Sequence, residues 1–311
     1  MKDINNLLVI IDPDIDDDFV IERARLIASA YRPKVQLYIN KPNAVTLEKS
    51  ATRSLFSRFF RTGEKLFSRH HRQRLKSIKQ QFADMDMEVE TEFSVERNTA
   101  DSILQRIQQH KPDLVLKSLQ RQSALARILI TNTDWRLIKS SPVPVLLVKS
   151  RHWASEGSIM AAVDPLHAKS AQNQLDHLLL DTASSLAQRL NLTTRVFHCY
   201  LPDLSAMFPK VIDAHEYIQE VKARHVVRIE ELLKQHDMSM DDVILTRGDL
   251  VRTLQHSIQR EKTNILVLGA LSRNFVERTI VGSTAEKMLY DTSCDVLAMR
   301  NPACPETSPA K

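Results

Sequence analysis

The chain has 311 residues, 26% of them charged and 43% hydrophobic, with a formal net charge of +5 and three cysteines (Cys199, Cys294, Cys304). No stretch approaches the ~18 consecutive apolar residues of a spanning helix, and Met1–Asn6 lacks the apolar core of a secretory leader, so a soluble, cytoplasmic protein is expected. An odd cysteine count in so long a chain excludes a disulfide framework and suits a reducing compartment. The positive charge is local: between residues 44 and 80, ten Lys or Arg stand against Glu48 and Glu64, so this segment carries +8 and the rest of the chain −3. A generic nucleic-acid binder would spread its basic surface over a face or groove.

In chain order, residues 6–11 form a continuous apolar run closed by Asp12-Pro13, the pattern of a strand buried on both faces. A helix follows through Phe19, Ile21, Ala24, Leu26, Ile27 and Ala30, then a strand at Val35–Ile39, then a long helical region over roughly 46–83. Val89, Thr91, Phe93 and Val95 alternate with Glu88, Glu90 and Glu92, as in a strand with one wet face. Ala100, Ile103, Leu104 and Ile107 mark a helix, residues 114–116 a short buried strand, residues 133–140 another helix and residues 143–148 a last strand. Further strands are expected near 159–164, 194–200, 242–246, 264–268 and 295–299, with helices between them.

The second series repeats the first. Leu7-Leu8-Val9-Ile10-Ile11-Asp12-Pro13 returns 152 residues later as Ile159-Met160-Ala161-Ala162-Val163-Asp164-Pro165. Asp113–Lys117 returns as Asn264–Leu268, and Ser141–Val148 as Thr292–Met299, both offset by 151. A period this long means whole domains. The expected division is 1–150 and 157–301, with 302–311 a disordered tail. Strand–helix alternation implies two α/β domains, each a doubly wound, mostly parallel sheet of five strands. Ligands of such sheets sit beyond the carboxyl ends of the strands at the switch in strand order, which singles out Asp12-Pro13, Asp164-Pro165 and the loops after the fourth strands.

The chain has five glycines, and two of them, Gly269 and Gly282, bracket one loop that leads into Ser283-Thr284. Glycine admits a close approach of phosphate, and a helix start offers free N–H groups to an anion. A glycine-relieved turn followed by an ordinary Ser/Thr cap explains the same residues equally well. The repeated first strand closing on Asp12 and Asp164, and the loop of form Gly-x-x-Gly, nine residues, Gly-Ser/Thr, resemble the universal stress proteins. Ser272 stands where that pattern has its second glycine. Asp113–Lys117 and Thr131–Trp135 resemble the tandem-domain subgroup of that family.

The resemblance implies an adenine nucleotide alpha hydrolase-like fold, with the two domains packed as an internal pseudo-dimer through their last strands. It implies ATP as cofactor of the second domain: Asp164 at the adenosine end, Gly269 and Ser272 framing the phosphates, and Gly282, Ser283 and Thr284 donating to them. In the first domain Ser118 falls opposite Gly269, Arg121 opposite Ser272 and Thr131-Asn132 opposite Gly282-Ser283, so ATP binding does not carry over. The expected function is a nucleotide-responsive stress-resistance protein, non-catalytic or at most a weak ATPase. The alternative is an apolar-ligand carrier or a partner-binding adaptor.

The basic segment 53–79 interleaves Phe56, Phe59, Phe60 and Phe67 with arginines and lysines. A solvated rim around a sheet-covering helix is one reading; contact with an anionic partner or membrane surface is the other. A homodimer is a further expected form of association. His70-His71 reads as surface, and His198-Cys199 as a buried pair rather than a metal site, since adjacent strand residues point to opposite faces.

Overall fold

The computed structural model describes residues 3–14, 18–41, 69–121, 128–129, 131–166, 170–203, 213–269, 289 and 292–300. The chain divides into two compact units, Asp3–His152 and Trp153 onward.

In the first unit, β1 (Asn6–Ile10) runs parallel to β2 (Lys34–Asn40) on one side and β4 (Leu114–Ser118) on the other. β3 (Val89–Ser94) extends the sheet beyond β2, and β7 (Val145–Val148) beyond β4. The order is therefore β3-β2-β1-β4-β7, all parallel. The continuous apolar run in β1 follows from its central place: Leu7, Leu8 and Val9 are almost fully buried, as are Leu37 and Leu116 on the neighbouring strands. The helix Asp18–Tyr31 covers one face with Val20, Ile21, Ala24, Ile27 and Ala28.

Local chemistry sets the helix ends. Asn98 Oδ1 accepts from the Asp101 N–H at 3.2 Å to start the helix Thr99–His110, which Lys111 ends in the left-handed region with φ 45°. Of the expected helical region 46–83, residues 69–80 are described and helical; residues 42–68, with the phenylalanines of the basic segment, lie outside the described residues. A small antiparallel pair, β5 (Gln120–Arg121) with β6 (Ile128–Leu129), has no counterpart in the sequence reading. Two-residue strands leave no periodic signal.

The second unit repeats this plan with β8 (Ser158–Ala162), β9 (Thr193–Tyr200), β10 (Val243–Arg247), β11 (Thr263–Gly269) and β12 (Asp295–Met299), in the order β10-β9-β8-β11-β12. Its strands likewise pair in parallel. Helices Ser170–Leu190, Ala214–Leu233 and Leu250–Arg260 connect the strands. One side of the sheet is closed by Met160, Phe197, Ile244, Leu254, Ile258, Leu266 and Cys294. In both units the order reverses beside the first strand, between β1 and β4 and between β8 and β11. That geometry sends Asp12 and Asp164 out of the sheet at the switch point.

Phe197 is 1% exposed at the centre of the second-unit core. Phe197→Ala should lower unfolding free energy by about 3–5 kcal/mol in a denaturant titration, through lost burial and the cavity it leaves.

Candidate functional site

β8 ends at Ala162; the Val163 N–H donates to the Phe197 carbonyl at 3.0 Å, and the exposed Asp164 follows. The helix Ser170–Leu190 places Asp176 against this point. Asp176 is 4% exposed; its Oδ1 accepts from the Asp164 N–H at 3.3 Å, and its Oδ2 has no hydrogen-bond partner among the described residues. Burial pushes the Asp176 carboxyl up to about 7, the Asp164 N–H bond opposes this, and the nearby Asp164 charge adds to it.

Gly269 is the last residue of β11. A Cβ there would lie 2.6 Å from Leu175 Cδ2 and 3.3 Å from Leu175 Cγ, on the helix that also carries Asp176. Close packing of this helix on the strand end accounts for the glycine by itself. Ser272, Gly282, Ser283 and Thr284 lie outside the described residues.

His198, 2% exposed on β9, is tied at both ring nitrogens: Nδ1 lies 2.9 Å from the Val163 carbonyl oxygen and Nε2 2.7 Å from His225 Nδ1. The His225 ring packs on Tyr200 with centroids 4.9 Å apart. Burial lowers the His225 pKa from 6.5, and the neighbouring His198 adds to this. Cys199, on the opposite face of the strand, is half-buried; its Sγ lies 3.3 Å from the Gly248 carbonyl oxygen and 3.3 Å from Thr253 Oγ1. Among the described residues no group of three or more His, Cys, Asp or Glu is arranged to hold a metal ion. Sequence reasoning missed Asp176 and His225, because each lies on a helix that spacing alone does not orient toward the strand ends.

The first unit treats the same position differently. Asp12 Oδ1 accepts from the Asp14 N–H at 2.9 Å, closing a local turn, and Arg74 donates to the Asp12 carbonyl at 2.8 Å. At the end of β4, Lys117 Nζ lies 2.7 Å from Asp134 Oδ1, with both side chains buried. Asp134 Oδ2 also accepts from the Thr131 N–H at 2.7 Å and from Thr131 Oγ1 at 2.8 Å, completing a capping box at the start of the helix Asn132–Ser140. The helix start opposite Gly282-Ser283 therefore already holds a carboxylate with its counter-ion. At the repeat offset of 151, Lys117 and Asp134 become Leu268 and Ala285.

The surface position expected of His70-His71 holds for His70 alone. His71 is buried, 2% exposed, and stacks on Phe93 with centroids 6.1 Å apart; only His70 is at the surface. It shares the inner face of residues 69–80 with Leu75 and Ile78, while Arg69, Arg72, Lys76 and Lys79 stay exposed. The run of cations concealed this three- and four-residue spacing.

Two five-stranded, doubly wound parallel α/β domains, each with an aspartate at its switch point, define the class of this protein. The family model of the universal stress protein family matches residues 4–149 and again 157–300, and the chain belongs to that family. It is 22% identical to the universal stress protein E homolog of Haemophilus influenzae, over 95% of this chain and 97% of the relative. It is 24% identical to universal stress protein E of Escherichia coli K12, over 95% of this chain and 93% of the relative. In fold it resembles the putative universal stress protein of Pseudomonas aeruginosa UCBPP-PA14, with a TM-score of 0.72 at 20% identity, covering 96% of this chain and 94% of that one. Among the described residues no helix is long and apolar enough to cross a membrane.

Removing one member of a buried ion pair leaves an uncompensated charge. Asp134→Ala should therefore cost about 3–5 kcal/mol in chemical denaturation, and the double change Lys117→Met with Asp134→Leu should recover most of it.

Asp176 carries the opposite pH signature to an ordinary paired carboxylate. With a folded pKa of about 7 against 3.8 unfolded, its contribution is fully present below 3.8 and is lost as pH rises through 7. Between pH 5 and pH 8 the loss is ~2–3 kcal/mol, and Asp176→Asn should flatten that part of the stability–pH profile measured by denaturation.

Proposed function

We propose that the second domain binds an adenine nucleotide, ATP, beside Asp164 and the carboxyl ends of β8 and β11, and that the protein acts in the cytoplasm as a nucleotide-responsive, essentially non-catalytic stress protein. The observation that carries this reading is the contrast between two equivalent strand ends. In the first domain the buried Lys117–Asp134 pair fills the helix start. In the second, Leu268 and Ala285 stand at those positions in the repeat, Gly282-Ser283-Thr284 supplies an anion-binding sequence, and Asp164 leaves the sheet at the switch point. ATP would place its adenosine end toward Asp164 and its phosphates toward Gly282, Ser283 and Thr284, with Gly269 and Ser272 flanking the loop. If the bound loop needs strained backbone at Ser272, serine in place of glycine costs about 1–3 kcal/mol there, roughly five- to 150-fold in affinity, which still leaves a site useful at cellular ATP concentrations.

Calorimetry with Mg-ATP tests this. The parent should bind one equivalent; Asp164→Ala should weaken binding about tenfold or more, and Gly282→Val should abolish it, while Asp12→Ala leaves it unchanged. Ser272→Gly should tighten it. A dependence on Asp12, or no binding by the parent, overturns the reading.

A further inference from the structure

The same end of the second domain holds a pair of imidazoles whose hydrogens can be assigned. A carbonyl oxygen only accepts, so the 2.9 Å contact with the Val163 oxygen puts a hydrogen on His198 Nδ1. Neutral His198 then has a bare lone pair on Nε2, and this faces His225 Nδ1 at 2.7 Å. His225 must donate from Nδ1, which leaves its own Nε2 as an acceptor. The Tyr200 ring packed on His225 holds its plane. His225 is half-buried, unlike His198, so this terminal nitrogen belongs to the outer ring of the pair.

Resting on the nucleotide reading above, we infer that His225 Nε2, oriented by His198, is a specificity-determining acceptor that reads a hydrogen-bond-donating edge, hydroxyl or amino, of the nucleotide held beside Asp164. His225 lies within electrostatic reach of the Asp164 carboxylate. His225 is joined through His198 to the carbonyl of Val163, the residue before Asp164, so a carboxylate and a bare imidazole nitrogen share this strand end, and both are acceptors. They repel a phosphate or a carbonyl edge and select a group with N–H or O–H to give, such as the ribose hydroxyls or the exocyclic amine of adenine. This orients the nucleotide with its phosphates away from the imidazoles. Buried Asp176, whose Oδ2 has no partner among the described residues, touches the Asp164 backbone and marks the same end as a polar site. His198 touches no ligand in this scheme; it is a positioning residue that fixes the tautomer of His225.

The arrangement is proton-linked. The charged and titratable groups around His225 are His198 and Tyr200 from β9, Asp164 beyond β8, and Arg224 from its own helix; Asp176, from the helix Ser170–Leu190, meets the Asp164 backbone. Burial, His198 and Arg224 lower the His225 pKa from 6.5 and Asp164 raises it, with burial the largest effect. His225 is therefore neutral at pH 8. Protonation at lower pH turns Nε2 from acceptor to donor, so affinity falls as pH drops through the His225 pKa.

Nitrogen-15 correlation spectra of the histidine rings in the full chain at pH 8 should show both His198 and His225 as Nδ1–H tautomers; an Nε2–H tautomer at either ring overturns the inference whether or not a ligand binds. By calorimetry at pH 8, His225→Phe should lose about tenfold in ATP affinity and His225→Gln should recover part of it, with His198→Phe behaving as His225→Phe. The loss should vanish for either 2′,3′-dideoxy-ATP or purine riboside triphosphate, identifying a hydroxyl or the amine as the group read; a loss that persists with both overturns it. The parent should weaken between pH 8 and pH 5.5 by a larger factor than His225→Gln, in which only Asp176 still titrates; an equal loss in both overturns the proton linkage of His225. Equal ATP affinity in parent and His225→Phe, with Asp164→Ala still weakened, overturns the role of His225 and leaves the nucleotide site standing. A parent that binds no ATP overturns both.

Discussion

A parallel strand covered on both faces must stay apolar along its length, so its first polar side chains emerge only where the chain leaves the sheet. β1 and β8 obey this, and the rest of each domain follows from it. Their neighbours pair on both sides, the order of strands reverses beside them, and Asp12 and Asp164 come out at the one place where a doubly wound sheet leaves a crevice. Chemistry at that crevice is built from whatever the next helix and the fourth strand bring to it.

The two domains bring different things. In the first, Lys117 enters the end of β4 and meets Asp134 at the helix start, so the partial positive charge of that helix terminus and the desolvated ammonium share one carboxylate. A site neutralised in this way has no electrostatic demand for an external anion. In the second, two groups behind the Asp164 carboxylate are held uncharged or only partly charged: Asp176 retains its proton to about pH 7, and burial disfavours the charged form of His225. The repeat presents the same strand ends twice: one copy carries a buried ion pair there, the other a protonated carboxyl and a pair of imidazoles.

β1, β4 and β7 were legible as continuous apolar runs, and the repeat offset of 151–152 gave each a second reading; β3 was legible instead from its alternation. Asp164 was legible for the same reason, as the residue that ends such a run. Gly269 stood out as a glycine, but its cause was not legible: Leu175, from a helix nearly a hundred residues earlier, occupies the space a Cβ would need. The Lys117–Asp134 pair hid behind two ordinary features, a lysine at the end of an apolar run and an acidic N3 residue. Spacing shows that each exists and not that they meet. His225 and His71 are further cases. Both face inward from helices otherwise rich in charge, and only tertiary packing decides which helical face is buried.

Asp176 shows why a buried carboxyl at a strand end is informative. An ordinary core site would exchange such a group for Asn or Leu, because an unpaired carboxyl forfeits stability as soon as it ionises. Here one oxygen is tied to the Asp164 N–H and the other has no partner among the described residues, and burial disfavours ionisation until about pH 7. A cationic group brought to Asp164 would lower the Asp176 pKa, and by linkage the Asp176 proton would weaken the binding of that group in the same measure. His225 has the complementary sense: it must lose a proton to accept. Both groups shift in the same direction with pH: each gives up its proton as the solution becomes more alkaline, so this end of the second domain turns from proton-bearing to proton-accepting without any change of fold.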